Sequence, residues 1–122
     1  MRDNSQNLGK IGEKEAVNFL EKQGYIILET NWRYRKLEVD IIASKKEELV
    51  IVEVKTRSTD EFGDPELFVS KKKQKNLIKA ADEYITKINF NGETRFDIIS
   101  ILQDNENLVV KHIPGAFYPT IN

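Results

Sequence analysis

The feature that most constrains this chain is the position of its second amphipathic helix. Three runs rich in β-branched residues, Tyr25–Asn31, Glu38–Ser44 and Glu48–Thr56, follow one another closely. A helical stretch capped by Ser70 and running to about Ile88 then separates them from two further runs, Arg95–Leu102 and Leu108–Ile113. The polar Lys45–Glu48 stretch is short enough to make the second and third runs an antiparallel hairpin, its turn centred between Lys46 and Glu47. A helix between the third and fourth strands permits a parallel crossover, so the sheet should be mixed.

A first helix, from about Ser5 to Gln23, precedes the strands and ends at Gly24. The predicted order is α-β-β-β-α-β-β, an α+β (broadly α/β) fold with a central mixed sheet flanked by helices. With 122 residues, one domain spanning 1–122 is expected. No repeat or linker interrupts it, and residues 57–67, with Gly63 and Pro65, read as a loop.

Composition removes several chemistries. Without cysteine there are no disulfides, thiolate metal sites or cysteine nucleophiles, and the single histidine, His112, excludes multi-histidine zinc sites. His112 is assigned no catalytic role. No signal-like or membrane-spanning apolar run is present, so a cytoplasmic protein without membrane partners is expected. The formal charge of −1 supplies no global attraction to nucleic acid, and any such binding must use local patches.

One local cluster stands out. Alternation puts Glu38 and Asp40 on one face of the second strand and Glu53 and Lys55 on one face of the third. The expected register pairs Asp40 with Glu53, Ile42 with Ile51 and Glu38 with Lys55, concentrating charge at the end far from the turn. Opposed acids repel, a cost that a bound divalent cation removes. Mg²⁺ or Mn²⁺ suits a site built from one or two carboxylates, and Lys55 could orient water or neutralise a phosphate. A solvated face tied by cross-strand ion pairs explains the same residues equally well.

Three inward polar residues add weight by converging on one site, although each taken singly is better explained as a satisfied core contact or a different helix phase. At 100° per residue Glu13 falls among Ala16, Val17 and Leu20 of the first helix, and Gln74 and Lys73 fall on or beside the stripe of Leu77, Ile78, Ala81, Tyr84, Ile85 and Ile88 of the second. Lys71, Lys72, Lys73 and Lys75 oppose the positive end of the second helix dipole, which suits a phosphate-contacting edge, while a solvated lysine face explains Lys71, Lys72 and Lys75 at least equally well. The Trp32–Lys36 segment, with its interleaved aromatics, suits one too.

Gly12-Glu13, Ala16, Gly24-Tyr25, Asn31-Trp-Arg33, Glu38-Val-Asp-Ile-Ile42, Val52-Glu-Val-Lys-Thr-Arg57, Phe62-Gly63, Lys73-Gln74, Arg95-Phe-Asp97, His112-Ile113 and Ala116-Phe117 together resemble the YraN family of bacterial proteins. The resemblance spans nearly the whole chain. It implies a restriction-endonuclease-like fold distantly similar to archaeal Holliday junction resolvases, and metal-dependent cleavage of nucleic acid phosphodiesters, with branched DNA as a substrate class and a homodimer as a possible form. By position, Asp40, Glu53 and Lys55 match the PD-(D/E)xK nuclease signature, with Asp40 and Glu53 as metal ligands. Glu13 matches a helix-borne acid and Gln74 a supporting helix position. Arg33, Arg35, Lys36, Arg57, Lys71 and Lys73 are the candidate nucleic-acid contacts. Val39 stands where the name of the nuclease signature puts proline, a position that varies widely, and Leu37 stands where family members usually carry glycine. Two rival readings are a non-catalytic nucleic-acid-binding module and a protein-interaction subunit whose lysine-rich helix docks an acidic partner.

Overall fold

The computed structural model describes residues 4–58 and 69–119. Helix α1 (Asn4–Lys22) leads into strands β1 (Ile26–Tyr34), β2 (Leu37–Lys45) and β3 (Glu48–Ser58). Helix α2 (Lys71–Ile88) follows, then β4 (Glu93–Asp104) and β5 (Asn107–Phe117). The five strands form one sheet in sequence order. β3 and β4 are parallel and every other neighbouring pair is antiparallel, as a helical crossover requires. This is the predicted element order and a mixed-sheet architecture consistent with a restriction-endonuclease-like fold.

Each helix covers one face. Ala16 and Leu20 of α1 pack with Ile41, Ala43, Val50, Val52, Ile99 and Ile101. Leu77, Ala80, Ala81 and Tyr84 of α2 pack with Val39, Ile42, Leu49, Ile51, Phe96 and Ile98. The alternation of β3 sends its even residues to α1 and its odd ones to α2. Leu20 and Leu77 are fully buried, so truncating either to alanine would cost about 2–5 kcal/mol. The expected α2 stripe holds except at its end, where Ile88 is 41% exposed.

Local signals set the boundaries. Gly24, with φ +93°, ends α1. Ser70 caps α2 by accepting the Lys73 amide at 3.2 Å. Tyr34 pairs with Leu37 and Lys45 with Glu48, leaving the two-residue turns Arg35-Lys36 and Lys46-Glu47, whose first residues have φ of 56° and 58°. The strands exceed their predicted lengths: Trp32 and Tyr34, read as a basic aromatic segment, belong to β1, and Arg57 belongs to β3. The remainder of the predicted 57–67 loop, with Phe62 and Gly63, lies largely outside the described residues.

Candidate active site

Strands β2 and β3 are laddered from Lys45↔Glu48 to Ile41↔Val52, in the predicted register, and then part. β2 stays paired with β1 as far as Leu37, and β3 stays paired with β4 as far as Ser58. Asp40 and Glu53 are the first residues past the fork. They meet through their side chains, because the backbone pairing expected for Asp40 with Glu53 and Glu38 with Lys55 is not made. The Asp40 carboxylate accepts the Val54 N–H through Oδ2 at 2.8 Å and so bridges the gap.

The fork has a local cause in β1 and β2. Regular alternation would put Val39 and Ile41 on one face, yet Val39 packs under α2 and Ile41 under α1. Opposite this switch, between the pairs Thr30↔Ile41 and Trp32↔Val39, Asn31 adopts a left-handed conformation with φ 50°, which asparagine tolerates better than most residues. Its side chain hydrogen-bonds Glu13 of α1. Next to Glu13, Gly12 lies so close to β3 that a Cβ there would stand 2.5 Å from Thr56 Oγ1. The bare backbone at Gly12 therefore brings Glu13 to the sheet.

These contacts bring Glu13, Asp40 and Glu53 into one electrostatic neighbourhood. Burial, and then the Glu53 charge, pushes Asp40 up to about 7, against the opposing effects of the Val54 amide and Lys73. Glu53 is raised chiefly by burial, with Lys73 and Lys55 opposing. Glu13 is raised by burial and by Asp40 and Glu38, with the Asn31 hydrogen bond opposing. One oxygen of Glu53, Oε1, is buried without a hydrogen-bond partner among the described residues, and Lys73 Nζ stands 3.8 Å from it. Such an acceptor is costly unless something else completes it.

Glu38 adds its charge to all three acids, and Lys55 opposes it at Glu53. Glu38 lies 3.8 Å from Arg33, its neighbour on β1. Arg35 lies in the β1–β2 turn with its guanidinium 5.3 Å from the Tyr34 ring centroid, and Lys36 is exposed beside it. The Gln74 side chain donates to Val69 O at 2.8 Å and so ties down the start of α2. Lys71 is exposed on the first turn of α2. Lys55 and Arg57 follow Glu53 along β3 past the fork.

Sequence reasoning missed a second charged cluster beneath α1. The side chain of Asp97 is fully buried and accepts from Arg95 Nε and Nη2, both at 2.8 Å, and from the Gly115 amide at 3.0 Å; His112 Nε2 lies 2.7 Å from it. Arg95 also reaches Tyr25 Oη and Glu48, while His112 packs edge-on against Phe19 and Tyr25. The hydrogen bonds from His112 and Arg95 outweigh burial and hold Asp97 below its usual range. The cluster joins β3, β4, β5 and the end of α1, and its signal in the sequence was an isolated acid inside an apolar strand.

The model of the family described as uncharacterised protein family UPF0102 matches residues 12–101. The chain belongs to this family. The UPF0102 match starts at the glycine that brings Glu13 to the sheet and includes Asp40, Glu53, Lys55 and the Arg95/Asp97 pair. A UPF0102 protein of Flavobacterium psychrophilum is 49% identical over 112 residues, covering 92% of this chain and 94% of that protein. One from Bacteroides thetaiotaomicron is 47% identical over 114 residues, covering 93% and 94%. Another, from Christiangramia forsetii, is 47% identical over 111 residues, covering 91% and 93%. The resemblance to the YraN family read from the sequence agrees with UPF0102 membership.

Proposed function

We propose that the forked end of the sheet is the active site of a metal-dependent endonuclease that hydrolyses DNA phosphodiesters, branched or otherwise structured DNA being the preferred class. The observation carrying this reading is the pair Asp40 and Glu53: two adjacent, largely buried carboxylates, one with an unpartnered oxygen. A folding-only role would neutralise or expose such a pair.

The residues fit a divalent ion. Among the described residues no group of three acidic or histidine side chains forms a ready-made cage. Two carboxylates are nevertheless the usual protein share for Mg²⁺ or Mn²⁺, which keep water and substrate phosphate as their other ligands. Asp40 and Glu53 would hold the ion. When bound, it supplies Lewis-acid polarisation of the phosphate and a more acidic water. The Val54 amide orients Asp40, and Lys73 offsets charge at Glu53. Lys55, two residues beyond Glu53, is assigned to the phosphate or the attacking water, and Glu13, held by Asn31, to accepting a proton from water.

The test is cleavage of end-labelled linear, flapped and four-way-junction DNA with Mg²⁺ or Mn²⁺. Metal-dependent cuts that disappear in Asp40→Ala and Glu53→Ala are expected. Binding without cutting by the wild type would reject catalysis in favour of a non-catalytic nucleic-acid-binding module.

A further inference from the structure

The outer side of α2 carries features that the carboxylate site does not use. Lys71, Lys75 and Lys79 recur every four residues, so they lie along one side of the helix about 6 Å apart along its axis. All three are exposed. They line a groove of about 440 Å³ with Ile78 and with Tyr118, which follows β5 and is 59% exposed. On the other flank of α2, Lys79 also lines a second groove, of about 310 Å³, with Asn76, Tyr34, Arg35 and Lys36. Five cations thus border two grooves that share Lys79, and among the described residues the only acid lining them is Asp82.

Charge and ring chemistry select the occupant. The whole chain has a formal charge of −1, so this concentration of positive charge is a segregation of charge within the molecule. The first turn of α2 has no acid and three lysines, an arrangement that the helix dipole disfavours and a polyanion would relieve. The exposed ring of Tyr118 at the first groove adds a surface on which a base stacks.

We propose that the paired grooves along the outer side of α2, meeting at Lys79, form a second binding track for the phosphate backbone of a nucleic acid strand. The inference rests on the reading of this chain as a nucleic-acid enzyme and adds to it a surface separate from Asp40 and Glu53. The track from Lys71 to Lys79 is about 12 Å long, the axial length of about three to four nucleotides of one DNA strand. It continues from the turn of α2 that presents Lys73 to Glu53, so a strand lying on it leads toward the carboxylate pair.

The experiment measures binding of the full chain to a fluorescently labelled duplex and single strand in EDTA, between about 50 and 200 mM salt. Lys75→Ala/Lys79→Ala should weaken affinity about 10-fold and reduce the slope of log K against log salt by about 1.8 for duplex or 1.4 for single strand. Alanine favours helix at these exposed positions, and a thermal melt verifies the fold. Lys46→Ala/Lys111→Ala, which removes exposed lysines elsewhere, should bind like wild type. Tyr118→Ala should weaken single-strand binding more than duplex binding. Equal affinity and slope for wild type and the Lys75/Lys79 variant would overturn the track. The nuclease reading would survive that result if Asp40→Ala still abolished cutting. Equal displacement of DNA by polyglutamate would also overturn the track, assigning the grooves to an acidic protein.

Discussion

The Oδ2 oxygen of Asp40 accepts a hydrogen bond from the Val54 amide at 2.8 Å, immediately beyond the point where strands β2 and β3 stop pairing. A carboxylate from one strand thus satisfies a donor of the other while the backbones diverge. The same contact holds Asp40 beside Glu53, and the two acids share a partly buried space that neither occupies comfortably as an anion.

This proximity makes stability depend on pH in a definite direction. The carboxyl of Asp40 is raised from the ordinary 3.8 to about 7 in the folded chain, so between those values the folded state binds more protons than the unfolded state. Stability contributed by the protonated form is therefore present below about pH 4 and lost as pH rises through 7. Asp40→Asn retains an acceptor for the Val54 amide and removes the charge. It should be more stable than wild type by about 1–2 kcal/mol at pH 8 in EDTA and nearly equal at pH 4, read from urea denaturation.

Divalent metal should reverse that pH trend. At pH 8, Mg²⁺ or Mn²⁺ should raise the Tm of the wild type, with a smaller rise at pH 5, where protons compete for the same oxygens. Asp40→Ala/Glu53→Ala should show no metal-dependent rise at either pH in differential scanning fluorimetry. An equal rise in that variant would remove the pair from the metal site.

Gly12 is expected to be intolerant of a side chain. Alanine there would place Cβ 2.5 Å from Thr56 Oγ1 and 2.8 Å from Thr56 Cγ2, both on a stiff β-branched side chain. Gly12→Ala should lose about 1–3 kcal/mol, and Thr56→Ala in the same chain should recover much of it. Because Glu13 follows Gly12, the single variant should also lower cleavage more than its stability loss explains, as specific activity of the folded fraction would reveal.

The buried cluster at Asp97 should behave in the opposite sense to Asp40. Its carboxyl is held below the ordinary range by His112, Arg95 and the Gly115 amide, so its contribution is present above the unfolded value and lost as pH falls toward the folded one. Asp97→Ala would leave Arg95 Nε and the Gly115 amide without their acceptor, though Arg95 keeps Glu48 and Tyr25, and should cost about 2–4 kcal/mol at pH 7. Chemical denaturation of the variant, compared with wild type at pH 7 and pH 3, should show that difference shrinking with acid.

Much of this molecule was legible before folding was considered. Period-two and period-3.6 patterns located all five strands and both helices, Ser70 and Gly24 marked their ends, and the short Lys45–Glu48 connection set the hairpin register. The register in turn drew attention to Asp40 and Glu53 as neighbours. Those are local properties, carried by spacing along the chain.

Tertiary structure alone decided what the neighbours do. The fork between β2 and β3 depends on the face switch from Val39 to Ile41 and on the left-handed Asn31 in the adjacent strand, which together turn a ladder pair into a side-chain pair. The partner of Glu38 became Arg33, Lys73 came to stand by Glu53, and Asp97 gathered Arg95, His112 and Gly115 from two strands. The sequence determined the elements, because hydrogen bonding within and between nearby segments follows local periodicity. The folded chain determined burial, and burial is what makes two ordinary carboxylates into an unusual pair, since the energy of a charge depends on everything packed around it.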